Sequence, residues 1–231
     1  MTGPVLLAVA HGSSHPDAAA TVSALACQVT RLAPVIDIRT AFVQHGEPSL
    51  AAGIAAAGPD IVIVPLLLSA GYHLASDITA AADEAGSTDV ASPRVAGPLG
   101  PDPLLVTALA GRLAEAGVPA GTPVVLAAAG SSDPSAASQV AGQAALLADE
   151  LSTDVVVAFA AAGRPKVGEA VAELRARTGG PVAVAAYLLA PGRFHDSLAE
   201  SGADWVTAPL GDHPAVAALV IDRYRTLRAA S

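Results

Sequence analysis

Two histidines lie where predicted strands end in the first half of the chain. His11 directly follows the apolar segment Val5–Ala10 and precedes Gly12, and His73 follows the apolar run at residues 61–68 and a glycine-containing turn. Because parallel strands end at the same edge of a sheet, the two imidazoles are expected either to share one metal ion or to flank one substrate. Neutral imidazole is a common ligand for divalent transition metals, and it accepts protons near neutral pH. Two imidazoles are fewer than the ligands of a zinc centre, so the pattern favours an open site from which the metal is handed on.

Two further segments suit an anionic ligand. Gly12, Ser13 and Ser14 precede a predicted helix, whose N-terminus can bind carboxylate or phosphate groups; the same serines could instead cap that helix. The pattern is neither a P-loop nor a dinucleotide-binding fingerprint. Gly192 and Arg193 follow a predicted strand in the second half. The guanidinium of Arg193 could receive substrate carboxylates by paired hydrogen bonds, and an ordinary surface arginine is the equal alternative.

The elements that position these residues alternate along the chain. Apolar or alternating patterns predict strands at residues 5–10, 35–42, 61–68, 89–96, 124–128, 155–161 and 182–189. Helical patterns between them run from residue 16 to about 32, from 48 to 58, from about 75 to 85 and from 103 to 116. Strands that alternate with helices predict parallel sheets with helices on both faces.

The order of motifs then repeats. His11-Gly-Ser-Ser-His-Pro matches Ala129-Gly-Ser-Ser-Asp-Pro, residues 66–71 match a segment ending at Gly192, and residues 96–100 match 207–211. These matches predict an internal duplication into two similar, doubly wound parallel-sheet lobes, residues 1–118 and 119–231, with a cleft between them. Because Ala129 replaces His11, and because His195 is one position off the match to His73, we expect no second metal site in the second lobe.

Composition limits the function. The chain of 231 residues has a net charge of −9 and one cysteine. The charge argues against a nucleic-acid partner, and Cys27 alone excludes a disulfide framework or a cysteine-based zinc site. The longest stretch without charged side chains, residues 116–132, is interrupted by glycines and prolines, so no membrane span is expected. The N-terminus lacks a basic segment before its apolar run, which favours a cytoplasmic protein.

These motifs resemble those of the CbiX/SirB-type sirohydrochlorin chelatases in their long, two-lobed form. The resemblance rests on His11-Gly-Ser, on Pro48-Ser-Leu, and on the segment from Val64 to His73 with Asp77. It implies a chelatase-like fold and the insertion of a divalent metal, Fe²⁺, Co²⁺ or sometimes Ni²⁺, into sirohydrochlorin for sirohaem or cobalamin synthesis. It implies no use of ATP and no tightly bound cofactor, since the metal and the tetrapyrrole are both substrates.

Carried over residue by residue, the resemblance makes His11 and His73 the catalytic, metal-binding pair, so the first lobe would carry the catalytic set and the degenerate second lobe would cover the substrate. An acidic residue of the family falls at Gln44, and Glu47 could replace it only if its loop folds towards the cleft. The residues expected to contact the tetrapyrrole are Gly12, Ser13, Ser14, Gln44, Ser69, Ala70, Gly71, Tyr72, Gly192 and Arg193.

Two alternatives stay open. The same scaffold could be a non-catalytic metal or tetrapyrrole carrier, for which Gln44 and the degenerate second half are the support. A phosphate-ester hydrolase that uses His11 is weaker, because no arginine lies beside His11-Gly12-Ser13. The fused halves would already form the interface that shorter relatives make by dimerising, so we expect a monomer.

Overall fold

The computed structural model describes residues 3–69, 78–83 and 93–229. The strands are β1 (Val5–Ala10), β2 (Ile38–Phe42), β3 (Ile61–Pro65), β4 (Arg94–Val95), β5 (Val124–Ala128), β6 (Val155–Phe159), β7 (Ala183–Tyr187) and β8 (Trp205–Val206). The helices are α1 (Pro16–Leu32), α2 (Leu50–Ala57), α3 (Pro103–Glu115), α4 (Pro134–Leu151), α5 (Val167–Thr178), α6 (Arg193–Asp196) and α7 (Pro214–Ala229). Residues 78–83 are also helical, and a 3₁₀ helix spans Ser197–Ser201.

Each repeat forms one four-stranded parallel sheet. The strand order is β2-β1-β3-β4 in the first sheet and β6-β5-β7-β8 in the second. The central strands β1, β3, β5 and β7 are almost wholly buried, as expected for parallel strands covered on both faces. Two similar α/β lobes with parallel sheets flanked by helices are therefore confirmed.

Some strands are shorter than their patterns predict. The strand predicted at residues 35–42 begins at Ile38, because the amide of Ile36 bonds the carbonyl of Ala33 in a turn and Val35 is 89% exposed. The strand predicted at residues 61–68 ends at Pro65. An apolar run in the sequence indicates that residues are buried, not that they belong to a strand. Leu66 is still buried although the hydrogen-bonded strand has ended at Pro65.

The compact units do not follow the sequence repeat. One unit comprises Met1–Leu99 with Asp212–Ser231, and the other comprises Gly100–Gly211. The last helix of each repeat therefore packs on the sheet of the other: α7 lies against α1 and β3, and α3 lies against α4 and β7. The boundary expected at residues 118/119 marks the repeat, whereas the chain crosses between units near residues 99 and 211.

One arginine anchors each exchanged helix, that is, each of α3 and α7, which pack against the sheet of the other repeat. Arg223 of α7 donates from Nη2 to the carbonyl of Leu99 at 2.9 Å, and Arg112 of α3 donates from Nη2 to the carbonyl of Leu210 at 3.0 Å. Leu99 and Leu210 occupy matching loops, since their amides bond the carbonyls of residues 67 and 188 beyond β3 and β7. The exchange is thus built by the same contact in both units.

Helix α7 closes the first core. Its buried side chains are Ala215, Val216, Ala217, Leu219, Val220, Ile221 and Tyr224. The hydroxyl of Tyr224 donates to the carbonyl of Pro4 at 2.7 Å, which ties the helix to the start of β1. In the described part of the chain, no helix has the length and apolar character needed to cross a membrane.

Removal of residues 212–231 should unfold the first unit and leave the second folded. Burial of each large apolar side chain contributes about 1.5–3 kcal/mol, so the loss of α7 approaches the whole stability of a small domain, about 5–15 kcal/mol. Limited proteolysis with mass spectrometry should show rapid cleavage before residue 99 and protection of residues 100–211.

The full-length variant Tyr224→Phe is the control. It loses one hydrogen bond, worth about 1 kcal/mol, and should stay folded. Equal protease protection of residues 3–69 in the truncated and full-length chains would contradict the exchange of helices.

Candidate active site

His11 lies at the carboxyl end of β1, one of the two central strands of the first sheet. The last residue of β1, Ala10, pairs with Phe42 of β2, and β1 also pairs with β3 on its other side. The carbonyl of His11 accepts a hydrogen bond from the amide of Gln44 at 2.9 Å, while its side chain is exposed. The backbone of His11 is therefore held by the sheet and the imidazole is free to meet a ligand.

Gly12 brings the turn after β1 against the loop after β2. Its φ is +91°, which favours glycine, and a Cβ at this position would lie 1.6 Å from the carbonyl oxygen of Gln44. Since that contact is with backbone, a side chain could be accommodated only if one of the two segments moved. The structure thus places Gly12 and Gln44, two of the expected substrate contacts, side by side with His11.

Neither serine caps the helix. Ser13 Oγ accepts from the amide of His15 at 3.1 Å, and His15 Nδ1 accepts from the amide of Asp17 at 3.2 Å. His15 is thus the N-cap of α1, and Ser13 stabilises the turn that precedes it. Ser14 is exposed, and Ser13 is half-buried.

The loop after β2 carries three polar side chains near this turn. Gln44, His45 and Glu47 are all exposed, and His45 has a φ of +48°. The backbone amide of Gln44 donates to the carbonyl of His11. An acidic side chain at position 44 would therefore belong to a residue that is hydrogen-bonded to the candidate metal ligand His11. Glu47 is three residues further along the loop and makes no such backbone contact with His11.

The second histidine falls outside the described residues. Ser69 is described and is half-buried beyond β3. Ala70, Gly71, Tyr72, His73 and Asp77 all lie within residues 70–77, outside the described ranges. The pairing of His11 with His73 therefore stays a prediction. Across residues 3–69, 78–83 and 93–229, no cluster of three or more His, Cys, Asp or Glu side chains is arranged to hold a metal ion.

The second unit repeats the backbone of this site without its histidine. The amide of Ala161 donates to the carbonyl of Ala129 at 2.9 Å, as the amide of Gln44 does to His11. Gly130 has a φ of +90°, and a Cβ there would lie 1.7 Å from the carbonyl oxygen of Ala162. The turn is therefore kept while the imidazole is lost.

Gly192 and Arg193 lie at the matching edge of the second sheet. Gly192 is half-buried and precedes α6, and Arg193 is exposed with its guanidinium 5.6 Å from the ring centre of Phe194. His195 is engaged in the fold, because its Nε2 lies 3.0 Å from the carbonyl oxygen of Thr207. Phe194 is not among the residues expected at the site, although it is one of only three phenylalanines and lies next to an arginine after a strand.

Arg164 supports a helix. It pairs with Glu169 at 2.7 Å, and Glu169 in turn accepts from the amide of Lys166 at the start of α5. The hydrogen bond from that amide, with the Arg164 guanidinium beside it, lowers the pKa of the Glu169 carboxyl below its ordinary value. Arg164 thus pairs with the first turn of the helix that follows it.

Comparison with protein families and known structures agrees with this architecture. The model of the CbiX family matches residues 5–116 and again residues 123–227. No match was found among curated protein sequences.

Solved structures match over nearly the whole chain. SirB from Bacillus subtilis with Fe³⁺ is 26% identical, with 98% of this chain and 96% of that chain covered and a TM-score of 0.85. The sirohydrochlorin chelatase SirB from Bacillus subtilis subspecies spizizenii, in complex with cobalt, is 24% identical over 98% and 96% of the two chains, with a TM-score of 0.79. CbiX, described as the terminal enzyme for siroheme biosynthesis in denitrifying bacteria, is 22% identical over 96% and 98%, with a TM-score of 0.71. Because the family model covers both repeats, the chain belongs to the CbiX family.

Proposed function

We propose that this protein inserts a divalent metal ion, Fe²⁺ or Co²⁺, into sirohydrochlorin without ATP. The observation that carries the proposal is the exposed imidazole of His11, held on a rigid turn at the carboxyl edge of a parallel sheet. Membership of the CbiX family and the likeness to SirB over 98% of the chain support the same reaction.

The chemistry requires a ligand that releases its metal and a base that takes up protons. Insertion forms bonds between the metal and the ring nitrogens, and two pyrrole N–H protons leave. We assign both tasks to His11 and to His73, which we place beside it from the sequence. Each neutral imidazole can hold the incoming ion by a lone pair or accept one departing proton. The metal ion is a substrate here, so loose binding by few ligands favours transfer to the macrocycle.

The proposed contacts to the tetrapyrrole lie in loops that follow the strands of each sheet. Gly12 and Ser13 are half-buried next to His11, Ser69 follows β3, and Gly192 follows β7. We propose that these residues, with Ser14, Gln44, Arg193 and residues 70–72, meet the macrocycle and its carboxylates.

Either metal fits the proposed ligands. Imidazole suits iron, cobalt and nickel, so the choice depends on which ion the cell supplies. The SirB structures that match this chain hold Fe³⁺ in one case and cobalt in the other, which supports iron and cobalt as the metals that such a site can bind. The product would serve sirohaem or cobalamin synthesis, in a cytoplasmic monomer that needs neither a nucleic acid nor a membrane.

A carrier function is the second candidate. Gln44 supports it, because a neutral amide stands on the residue bonded to His11 where the resemblance implies an acid. A carrier would bind cobalt or sirohydrochlorin without accelerating their combination.

The variant His11→Ala should lower the rate of Co²⁺ insertion at least about 100-fold, the usual contribution of a general base, while the fold is kept because the side chain is exposed. The rate is measured anaerobically from the visible absorption of sirohydrochlorin. His213→Asn is the control, since His213 Nδ1 accepts from the amide of Ala215 at the start of α7 and asparagine can cap a helix equally well. Insertion by His11→Ala at the wild-type rate would refute the site, and a wild-type rate equal to the uncatalysed rate would favour the carrier.

The variant Gln44→Glu should bind Co²⁺ several-fold more tightly, because it adds a carboxylate on the residue that contacts His11. Competition with a chromophoric chelator measures the affinity. The matched control is Ala161→Glu, which places the same acid beside Ala129, where there is no imidazole. A similar gain in both variants would show that the added charge acts at long range and not at the proposed site.

A further inference from the structure

The loops at the carboxyl edges of the two sheets carry opposite charge. In the second unit, residues 129–133, 160–166 and 188–196 contain Arg164, Lys166 and Arg193 against two carboxylates, Asp133 and Asp196. The matching segments of the first repeat, residues 11–15, 43–49 and 66–77, contain no lysine or arginine and two acidic residues. The first edge suits a cation, and the second suits a carboxylate-bearing ligand.

The three cations of the second edge are not equivalent. Arg164 is paired with Glu169 at 2.7 Å, and Lys166 donates from Nζ to the carbonyl of Ala161. Arg193 is exposed, and within residues 3–69, 78–83 and 93–229 it pairs with no carboxylate. Arg193 is therefore the cation of this edge that neither a carboxylate nor a carbonyl of the described residues engages.

An exposed aromatic ring holds this arginine in place. The guanidinium carbon of Arg193 lies 5.6 Å from the ring centre of Phe194, within the range of a cation–π contact. Phe194 is one of the few large apolar side chains on the surface, with 36% of its area exposed. The ring restricts the arginine without using its hydrogen-bond donors.

The next residue anchors the pair to the sheet. His195 Nε2 lies 3.0 Å from the carbonyl oxygen of Thr207, and the buried Thr207 hydroxyl accepts from the amide of Ala186 in β7. Ser197 Oγ donates to the carbonyl of Phe194 at 2.8 Å. Arg193 and Phe194 are thus presented at the surface by a segment that is fixed on its other side.

The strand register relates Phe194 to the candidate metal site. Val62 of β3 pairs with the first residue of β4, and Ala183 of β7 pairs with the first residue of β8, so these two positions match. His73 is eleven residues after Val62 in the sequence, and Phe194 is eleven residues after Ala183. The position that carries an imidazole in the first repeat carries an aromatic ring in the second.

We propose that Arg193, positioned by Phe194 and His195, binds a carboxylate on the rim of the tetrapyrrole. The proposal rests on the function proposed above. A guanidinium can receive a carboxylate through two parallel hydrogen bonds, which gives orientation as well as affinity. Because this contact exists before and during insertion, it should affect binding of the macrocycle and leave the chemical step unchanged.

The test compares four variants by two measurements. Titration of metal-free sirohydrochlorin, followed by its visible absorption, gives its Kd, and anaerobic Co²⁺ insertion gives KM and kcat. Arg193→Gln should raise Kd and KM about tenfold with kcat within twofold of wild type. Arg193→Lys should raise them less, since it keeps the charge and loses the paired geometry. Phe194→Leu should raise them about threefold, because the ring no longer holds the guanidinium.

Arg164→Gln is the matched control: it removes the same charge from the same edge of the same sheet, and Kd should stay within twofold of wild type.

Unchanged Kd in Arg193→Gln, or an equal rise in Arg164→Gln and Arg193→Gln, would overturn the proposal. If kcat falls and Kd does not change, Arg193 does not act in binding and the proposal is likewise overturned. A wild-type protein that binds sirohydrochlorin without inserting metal would refute only the chelatase activity, because the Kd values still test Arg193. Failure of the wild type to bind sirohydrochlorin would refute both.

Discussion

The close approach of two backbone segments beyond the central strand is the constraint on which the rest of the site depends. The turn at Gly12 lies so near the carbonyl of Gln44 that no side chain fits between them, and the amide of Gln44 bonds the carbonyl of His11. This packing is possible only because β1 pairs with β2 on one side and β3 on the other, which brings the loops after these strands to one edge. The backbone of His11 is therefore fixed from both directions, which sets the direction in which its side chain leaves the chain.

The same constraint explains how the two repeats can differ in chemistry while sharing a fold. Gly130 and Ala162 reproduce the close approach in the second unit, and a ring packs under a glycine in both, Phe42 under Gly46 and Phe159 under Gly163. These contacts involve backbone atoms and buried rings, so they restrict which residues can replace the glycines and the phenylalanines. They place no demand on the residue that precedes the turn, which is the exposed His11 in one repeat and the half-buried Ala129 in the other.

The sequence predicted the elements better than their assembly. Val5–Ala10 and Val124–Ala128 were predicted in full, because continuous apolar runs bounded by Gly and Pro report buried parallel strands directly. The exchange of α3 and α7 was not predicted, since the apolar face of a helix specifies that it is buried but not which sheet buries it. Two hydrogen bonds of histidines were also not predicted. His15 caps α1 through its own ring nitrogen, and His195 bonds Thr207, a residue twelve positions away that only the folded chain brings near.

A protein that joins a metal cation to a carboxylate-rich ring has to attract ligands of opposite charge without letting them neutralise each other. One edge with both histidines and arginines would place a cation beside guanidinium groups, and the repulsion would weaken metal binding. Duplication offers another arrangement, because each sheet has its own carboxyl edge and each edge can carry one sign of charge. The first repeat keeps lysine and arginine out of its strand-end loops, and the second holds three of them, one of which neither a carboxylate nor a carbonyl of the described residues engages. The net charge of −9 is then no obstacle to an anionic substrate, because the local charge at the proposed binding edge, and not the net charge, acts on the substrate there.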